Sequence, residues 1–352
     1  MCTYSAPTEG ADVATPTDFH LVHYGARAQG RPGAILVEAT AVRLDGRISM
    51  GCLSLHDDAQ IPAFRRLADA IHAEGALAII QINHSGRKGS TGPGFSDPVR
   101  EIGDGGWEVI GPSAVAFSDD YRTPRALDAT EIPELVDAFA DAAARAVAAG
   151  FDGVQVHGAH GYLIQEFLSP FSNKRDDEWG GDFEGRTRFA REVVRAVRAA
   201  VPDAIVGFRM TATDWTQEYP ADGRPGWTLA ESVRLAPLLV EDGVDVLNVS
   251  TGGNVSDATM PGGPGYQVFA AAAVRQAVRE DASSRGADPV PVAAVGIIAT
   301  ATQAEQVLVS GDADIVEIGR PLLTDPMLPH QWRRELRAEP SMPVQYERGT
   351  LR

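Results

Sequence analysis

Two imidazoles and a phenol leave the end of one apolar run within six residues, in His157-Gly158-Ala159-His160-Gly161-Tyr162. The run ahead of them, Phe151-Asp152-Gly153-Val154-Gln155-Val156, alternates and reads as a short buried strand. At a barrel mouth, His157 and His160 can point at one oxygen, and Tyr162 can offer a proton beside it. Two donors on an oxygen with an acid nearby suit a reaction that builds negative charge on a carbonyl. The same His-x-x-His also fits two ligands of a metal, or a chance spacing. Its place at a strand end adds modest weight to the catalytic reading.

The elements that must position these groups follow from length and pattern. The chain has 352 residues, 44% hydrophobic, with 36 Gly and 23 Pro, enough for one large domain over 1–352. Lys and Arg number 31 and Asp and Glu 48, a formal net charge of -17. That charge opposes unspecific binding to nucleic acid or an anionic membrane, so neither is an expected partner. An anionic ligand needs a local cluster of donors instead. The two cysteines, Cys2 and Cys52, are too few for a disulfide framework, a four-cysteine zinc site or a cubane cluster. No apolar run is long enough to span a bilayer, and the first residues lack the basic and apolar regions of a signal peptide. A reducing cytoplasm fits.

In chain order, residues 19–28 have helical spacing, with Thr17 and Asp18 as cap candidates. Residues 33–39 read as a strand. A helix capped by Asp57 or Asp58 runs to 74, and 76–83 is the next strand. Residues 84–130, rich in Gly, Pro, Ser and Asp, break the rhythm. A loop this long in a compact domain is usually functional, here a lid, with 107–110 as one arm of a hairpin. Trp107, Phe117 and Tyr121 predict that it packs. Helices then read at 131–149, 188–200, 229–242, 268–279 and 301–309, and strands at 151–156, 204–210, 244–250, 290–295 and 313–318. A second excursion covers 165–186.

Seven strands alternate with seven or eight helices, which predicts a parallel sheet with right-handed crossovers. An open doubly wound sheet is the other candidate, but no strand is followed by a Gly-x-Gly-x-x-Gly turn. The reading is therefore a (β/α)8 TIM barrel. Its strands end at Ala39, Gln81, His157, Arg209 and Met210, Ser250, Gly296, and Gly319 with Arg320, so polar and small residues converge on one rim. Barrels often bind phosphate on backbone N–H groups after the last two strands, where Gly296 and Gly319-Arg320 stand. Taken singly, each glycine also fits a tight turn.

At this point the residues match a family. The chain resembles the Old Yellow Enzyme family of FMN-dependent ene-reductases, and most closely its bacterial thermophilic-like subgroup. The resemblance rests on Met1-Cys2-Thr3-Tyr4, His23-Tyr24, Val37-Glu38-Ala39, Gln81-Ile82-Asn83-His84-Ser85-Gly86-Arg87-Lys88 and Gly111-Pro112-Ser113. It continues through His157 to Pro170, Asn173-Lys174-Arg175, Gly180-Gly181, Ile318-Gly319-Arg320 and Val344-Gln345-Tyr346-Glu347-Arg348. The block from His157 to Pro170 is the most specific.

The resemblance implies FMN over the barrel mouth, with its phosphate at Gly296, Gly319 and Arg320. Gln81 would meet the pyrimidine edge, and Arg209 would lie near N1 and O2. Ala39 would lie against the flavin, Met1 and Cys2 would contact it, and Cys2 would modulate its potential. Tyr4 would touch substrate. NADPH or NADH would give hydride to FMN, and an α,β-unsaturated carbonyl compound would then take it at the β-carbon. In that scheme His157 and His160 hold the carbonyl oxygen, and Tyr162 protonates the α-carbon. The terminal motif, with Arg348 in a tail over 340–352, implies a homodimer or homotetramer in which that tail enters the neighbouring active site.

Family members carry about one strand and a hairpin before Met-Cys. The chain is therefore expected to lack the first barrel strand, leaving Cys2 and Tyr4 on a free end. The alternatives are a truncated, flavin-poor barrel or another FMN or phosphate-binding barrel enzyme. An aldolase would want a Schiff-base lysine on a strand, and none of the strands read here contains one.

Overall fold

The computed structural model describes residues 2–93, 98–217, 223–339 and 341–350. Met1, expected at the flavin, lies outside them.

Helix α1 (Asp18–Gln29) buries His20, Tyr24 and Ala28 at four-residue spacing, one face of a helix, over strand β1 (Ala34–Ala41). Asp57 accepts from the Ala59 N–H at 2.8 Å and starts a turn that runs into α2 (Ile61–His72). Strand β2 (Leu77–Asn83) follows. Two short strands, β3 (Ile110–Gly111) and β4 (Arg125–Ala126), lie in the excursion, ahead of α3 (Ile132–Ala148) and β5 (Gly153–Gly158). The rest alternates: α4 (Leu163–Leu168), α5 (Phe183–Ala200), β6 (Ile205–Thr211), α6 (Leu229–Glu241), β7 (Val246–Ser250) and α7 (Val268–Arg285). Last come β8 (Val292–Ala294), α8 (Ala301–Val309), β9 (Ile315–Val316), α9 (Arg320–Thr324) and α10 (Leu328–Glu335).

Seven parallel strands pair in the order β1-β2-β5-β6-β7-β8-β9 and curl into the TIM-barrel pattern. All seven strands read from the sequence are present. Among the described residues no ladder joins β1 to β9. Register is pinned from below by a repeated device. Asp152, Asp245 and Asp314, just ahead of β5, β7 and β9, accept from the N–H groups of Ala78, Val206 and Val292 on the preceding strands, at 2.7, 2.8 and 3.1 Å. The core includes Phe64, Phe139, Phe167, Phe189, Phe208 and Trp227, all fully buried between sheet and helices.

Several expectations are corrected. The segment 107–110 is no hairpin arm, because β3 pairs with β4 in parallel. Arg87 holds the connection between them, donating to the Val115 and Ala116 carbonyls at 3.1 and 3.2 Å, so the chain loops back before pairing. The excursion does pack. Arg47 lies over the Trp107 ring at 4.9 Å, and the Phe117 and Tyr121 rings meet edge to face at 5.1 Å. Helix α5 starts five residues before the expected 188, capped by Asp182. Helix α7 runs on to Arg285, where Gly286 ends it at φ 64°.

The segment with Cys2 and Tyr4 is no free end. Thr3 donates through its N–H and its hydroxyl to the Glu38 carboxylate of β1, at 2.5 and 2.7 Å. The Ala6 N–H donates to the Gly51 carbonyl at 2.9 Å. Among the described residues no helix is long and apolar enough to cross a membrane.

Candidate active site

One residue before the end of β5, His157 stands in register with Arg209 of β6, and Gln81 of β2 stands opposite Gln155. Parallel pairing thus sets the polar rim before any side-chain contact forms. The Gln81 amide donates to Gln155 Oε1 at 2.7 Å. After β5 the chain turns sharply. His160 has φ 60°, a left-handed conformation that non-glycine residues rarely adopt. Its N–H donates to Thr211 Oγ1 at 2.9 Å. The turn brings the His160 ring to 5.1 Å from that of His157, and the Tyr162 ring to 5.4 Å from His157.

His157 is 3% exposed, and its Nδ1 has no hydrogen-bond partner. His160 Nε2 lies 2.7 Å from the Ser250 hydroxyl. When Ser250 donates there, the other ring nitrogen carries the proton and can donate in turn. Burial, then the His160 and Arg209 charges, holds His157 well below the usual imidazole range. Burial and Arg209 do the same to His160. Both rings are therefore neutral at physiological pH, each with one N–H to give. Burial pushes the Tyr162 phenol well above its usual value, so it keeps its proton. Among the described residues no three His, Cys, Asp or Glu side chains gather to hold a metal ion.

A second wall faces this trio. Ala39, Ile48 and Cys52 form a small buried cluster, and Cys2, Tyr4 and Tyr162 pack against it. The acid expected from the sequence and the N-terminal residues thus share one surface. Arg209 contributes an unpartnered Nε, and the charge of Glu317, just after β9, acts on its guanidinium. Gly296 follows β8 with φ +125°, and an added Cβ there would meet the Gln267 side chain at 2.6 Å. Gly319 and Arg320 follow the neighbouring β9 and open α9, with the Arg320 side chain exposed. Arg348 lies exposed in a 3-10 segment, Val344–Thr350.

A family model, the NADH:flavin oxidoreductase / NADH oxidase family, matches residues 1–339. The chain belongs to this family. It is 41% identical to an NADPH dehydrogenase of Geobacillus sp. (strain WCH70), over 99% of this chain and 92% of the relative. It is 38% identical to an NADPH dehydrogenase of Bacillus cytotoxicus, over 99% of this chain and 90% of the relative. Among solved structures it is similar to morphinone reductase, with a TM-score of 0.73 and 27% identity over 96% of this chain and 86% of that one. It is also similar to 2-naphthoyl-CoA reductase in complex with 2-naphthoyl-CoA, with a TM-score of 0.80 and 26% identity over 95% of this chain. This chain spans 49% of the length of that reductase.

The chain is thus an NAD(P)H-dependent FMN oxidoreductase of the Old Yellow Enzyme type, and the rim fits the cofactor. The unpartnered Arg209 Nε, the amide of Gln81 and the glycines that end β8 and β9 suit a flavin with a phosphate tail.

Sequence reasoning assigned no role to several residues at the site. Lys88, quoted within a motif, puts its Nζ 2.9 Å from the carbonyl oxygens of both His160 and Gly253. It also lies 5.1 Å from the centre of the Tyr162 ring. Burial lowers its pKa to about 8. Glu38, Cys52 and Ser250 were missed in the same way. A lone Glu inside an otherwise apolar strand was the available signal for Glu38.

Proposed function

We propose that this chain is an ene-reductase that takes hydride from NADPH or NADH and reduces the C=C bond of α,β-unsaturated carbonyl compounds. The observation that carries the reading is the trio of two neutral imidazoles and a protonated phenol around one point of the barrel mouth. Bound FMN supplies the hydride chemistry. His157 and His160 donate to the carbonyl oxygen of the substrate and stabilise negative charge as it grows there. Neutral donors suit this task, because they hold the oxygen without protonating it outright. Tyr162 gives its phenolic proton to the α-carbon. A phenol is a weak acid, so placement supplies much of its effect.

Arg209 favours negative charge on the pyrimidine end of the cofactor, and Gln81 holds its edge. Ala39 leaves room for the flavin plane. Backbone N–H groups at Gly296 and Gly319, with the Arg320 guanidinium, take the phosphate. Cys2 lies against the flavin, and Tyr4 contacts substrate. Arg348 completes the site of a neighbouring copy in a homodimer or homotetramer. The enzyme works in the cytoplasm.

The test is the flavin spectrum. The FMN-loaded protein is reduced by NADPH without oxygen, and 2-cyclohexenone is added. The expected outcome is return of the oxidised flavin bands with formation of cyclohexanone. Flavin that stays reduced with a panel of enones would defeat the reading.

A further inference from the structure

The chain's two cysteines meet at the mouth. Cys52 is 1% exposed, and Cys2 is half-buried against the cluster that Cys52 shares with Ala39 and Ile48. The two side chains thus share one small apolar surface. Both backbones are held on either side of the pair. Thr3 is tied to Glu38 at 2.5 and 2.7 Å, and Ala6 to Gly51 at 2.9 Å. At Gly51, beside Cys52, an added Cβ would lie 2.5 Å from the Tyr4 carbonyl oxygen, so the two segments touch through their backbones. The Cys52 N–H is bonded to Ser49 at 3.0 Å. Tyr4 and Tyr162 pack on the same cluster.

We propose that Cys2 and Cys52 are a redox pair that closes to an intramolecular disulfide on oxidation by peroxide, and that closure slows the substrate half of the reaction. Cys2 is the more exposed and reacts first. Its thiolate attacks one peroxide oxygen, the O–O bond breaks, and hydroxide leaves, giving a sulfenic acid. The Cys52 sulfur then attacks the Cys2 sulfur, the S–O bond breaks, and water leaves with the Cys52 proton. The two thiols lose two electrons in all, and one peroxide becomes two waters. The neighbouring Cys2 thiol and burial push the Cys52 thiol well above its usual value. It therefore keeps its proton, and the more exposed Cys2 meets peroxide first. Closure pulls Cys2, and with it Tyr4, toward the cluster on which Tyr162 rests.

The effect on turnover rests on the ene-reductase reading, and the thiol chemistry does not. The FMN-loaded protein is treated with a small excess of hydrogen peroxide, desalted, and assayed under denaturing conditions. Free thiols should fall from two to none. The intact mass should drop by two hydrogens, a peptide linking Cys2 to Cys52 should appear, and dithiothreitol should reverse all three. In Cys52→Ala the same treatment should leave a Cys2 sulfenic acid that dimedone traps. Reoxidation of reduced flavin by enone should slow by roughly tenfold or more in the disulfide form, and recover with dithiothreitol. Retention of both thiols, added oxygens in place of lost hydrogens, or a cross-link only between chains would overturn the pair. A disulfide that forms without changing the rate would overturn the coupling. A reduced form inert to enones would count against the ene-reductase reading and leave the disulfide standing.

Discussion

The Lys88 ammonium donates to the carbonyl oxygen of His160 at 2.9 Å. A second bond of 2.9 Å reaches the Gly253 carbonyl, so one side chain ties the turn after β5 to the turn after β7. The backbones meet there as well: a Cβ at Gly161 would lie 2.3 Å from the Gly253 oxygen. Because His160 sits at φ 60°, its ring direction depends on this support.

Lys88→Met should therefore disturb both stability and the site. Losing two bonds from a charged donor costs about 2–4 kcal/mol. The melting temperature should fall, and reoxidation of the reduced flavin by 2-cyclohexenone should slow. Unchanged values of both would show that the turn holds without Lys88.

Tyr162→Phe should separate the two half-reactions. Reduction of the flavin by nicotinamide needs no proton from Tyr162 and should stay nearly intact. Reduction of the enone should slow by about 10² to 10⁴-fold, the typical loss for a positioned acid. Stopped-flow traces of each half decide. Equal slowing of both would assign the proton to another group.

Glu38→Ala should release the N-terminal segment. The carboxylate accepts from the Thr3 N–H, the Thr3 hydroxyl and, at 3.2 Å, the Tyr24 hydroxyl. Burial raises its pKa and the Thr3 bonds oppose that rise. His20 beside it is held down to about 4 by burial and adds no positive charge at neutral pH. Removing the acceptor strands several buried donors at a cost of about 3 kcal/mol. Cys2 should then react faster with a thiol reagent while Cys52 stays protected. An unchanged Cys2 rate would mean that other contacts anchor the segment.

How much of this was legible depends on what spacing encodes. Parallel strands covered on both sides are near-continuous apolar runs, such as residues 77–80 of β2, and all of them could be read. The rim residues followed, because barrel strands end at one face. Helix α4 left no signal, since all six of its residues are buried and no polar face marks its period. The start of α5 was masked by Gly185 in its first turn, although Asp182 accepts from that residue's N–H. The parallel β3–β4 pair has two residues in each strand, and Arg87 grips its connection from a distant turn, which local pattern cannot express. The reach of Lys88 and the grip of Glu38 on Thr3 are long-range for the same reason.

Glu166 is buried on α4, four residues after Tyr162. Its Oε1 accepts from the Arg87 N–H at 2.9 Å, but its Oε2 has no partner. Glycine at 86 and 111 makes room for it, since an added Cβ would lie 1.9 and 2.8 Å from its oxygens. Burial raises its pKa to about 8, against the opposing pull of Arg87. A carboxyl that keeps its proton longer in the folded state stabilises the fold fully below its unfolded pKa, and that advantage is lost as pH rises through the folded value. Between the usual carboxylate range and about pH 8 the fold should therefore lose stability, because the group ionises in the unfolded chain while the folded chain holds its proton. Glu166→Gln keeps the shape without the charge. The variant should match or trail the parent at pH 5, and surpass it at pH 8 by up to about 4 kcal/mol. Denaturant melts of both proteins at the two pH values provide the comparison. A constant difference between them would show that Glu166 ionises alike in the folded and unfolded chains.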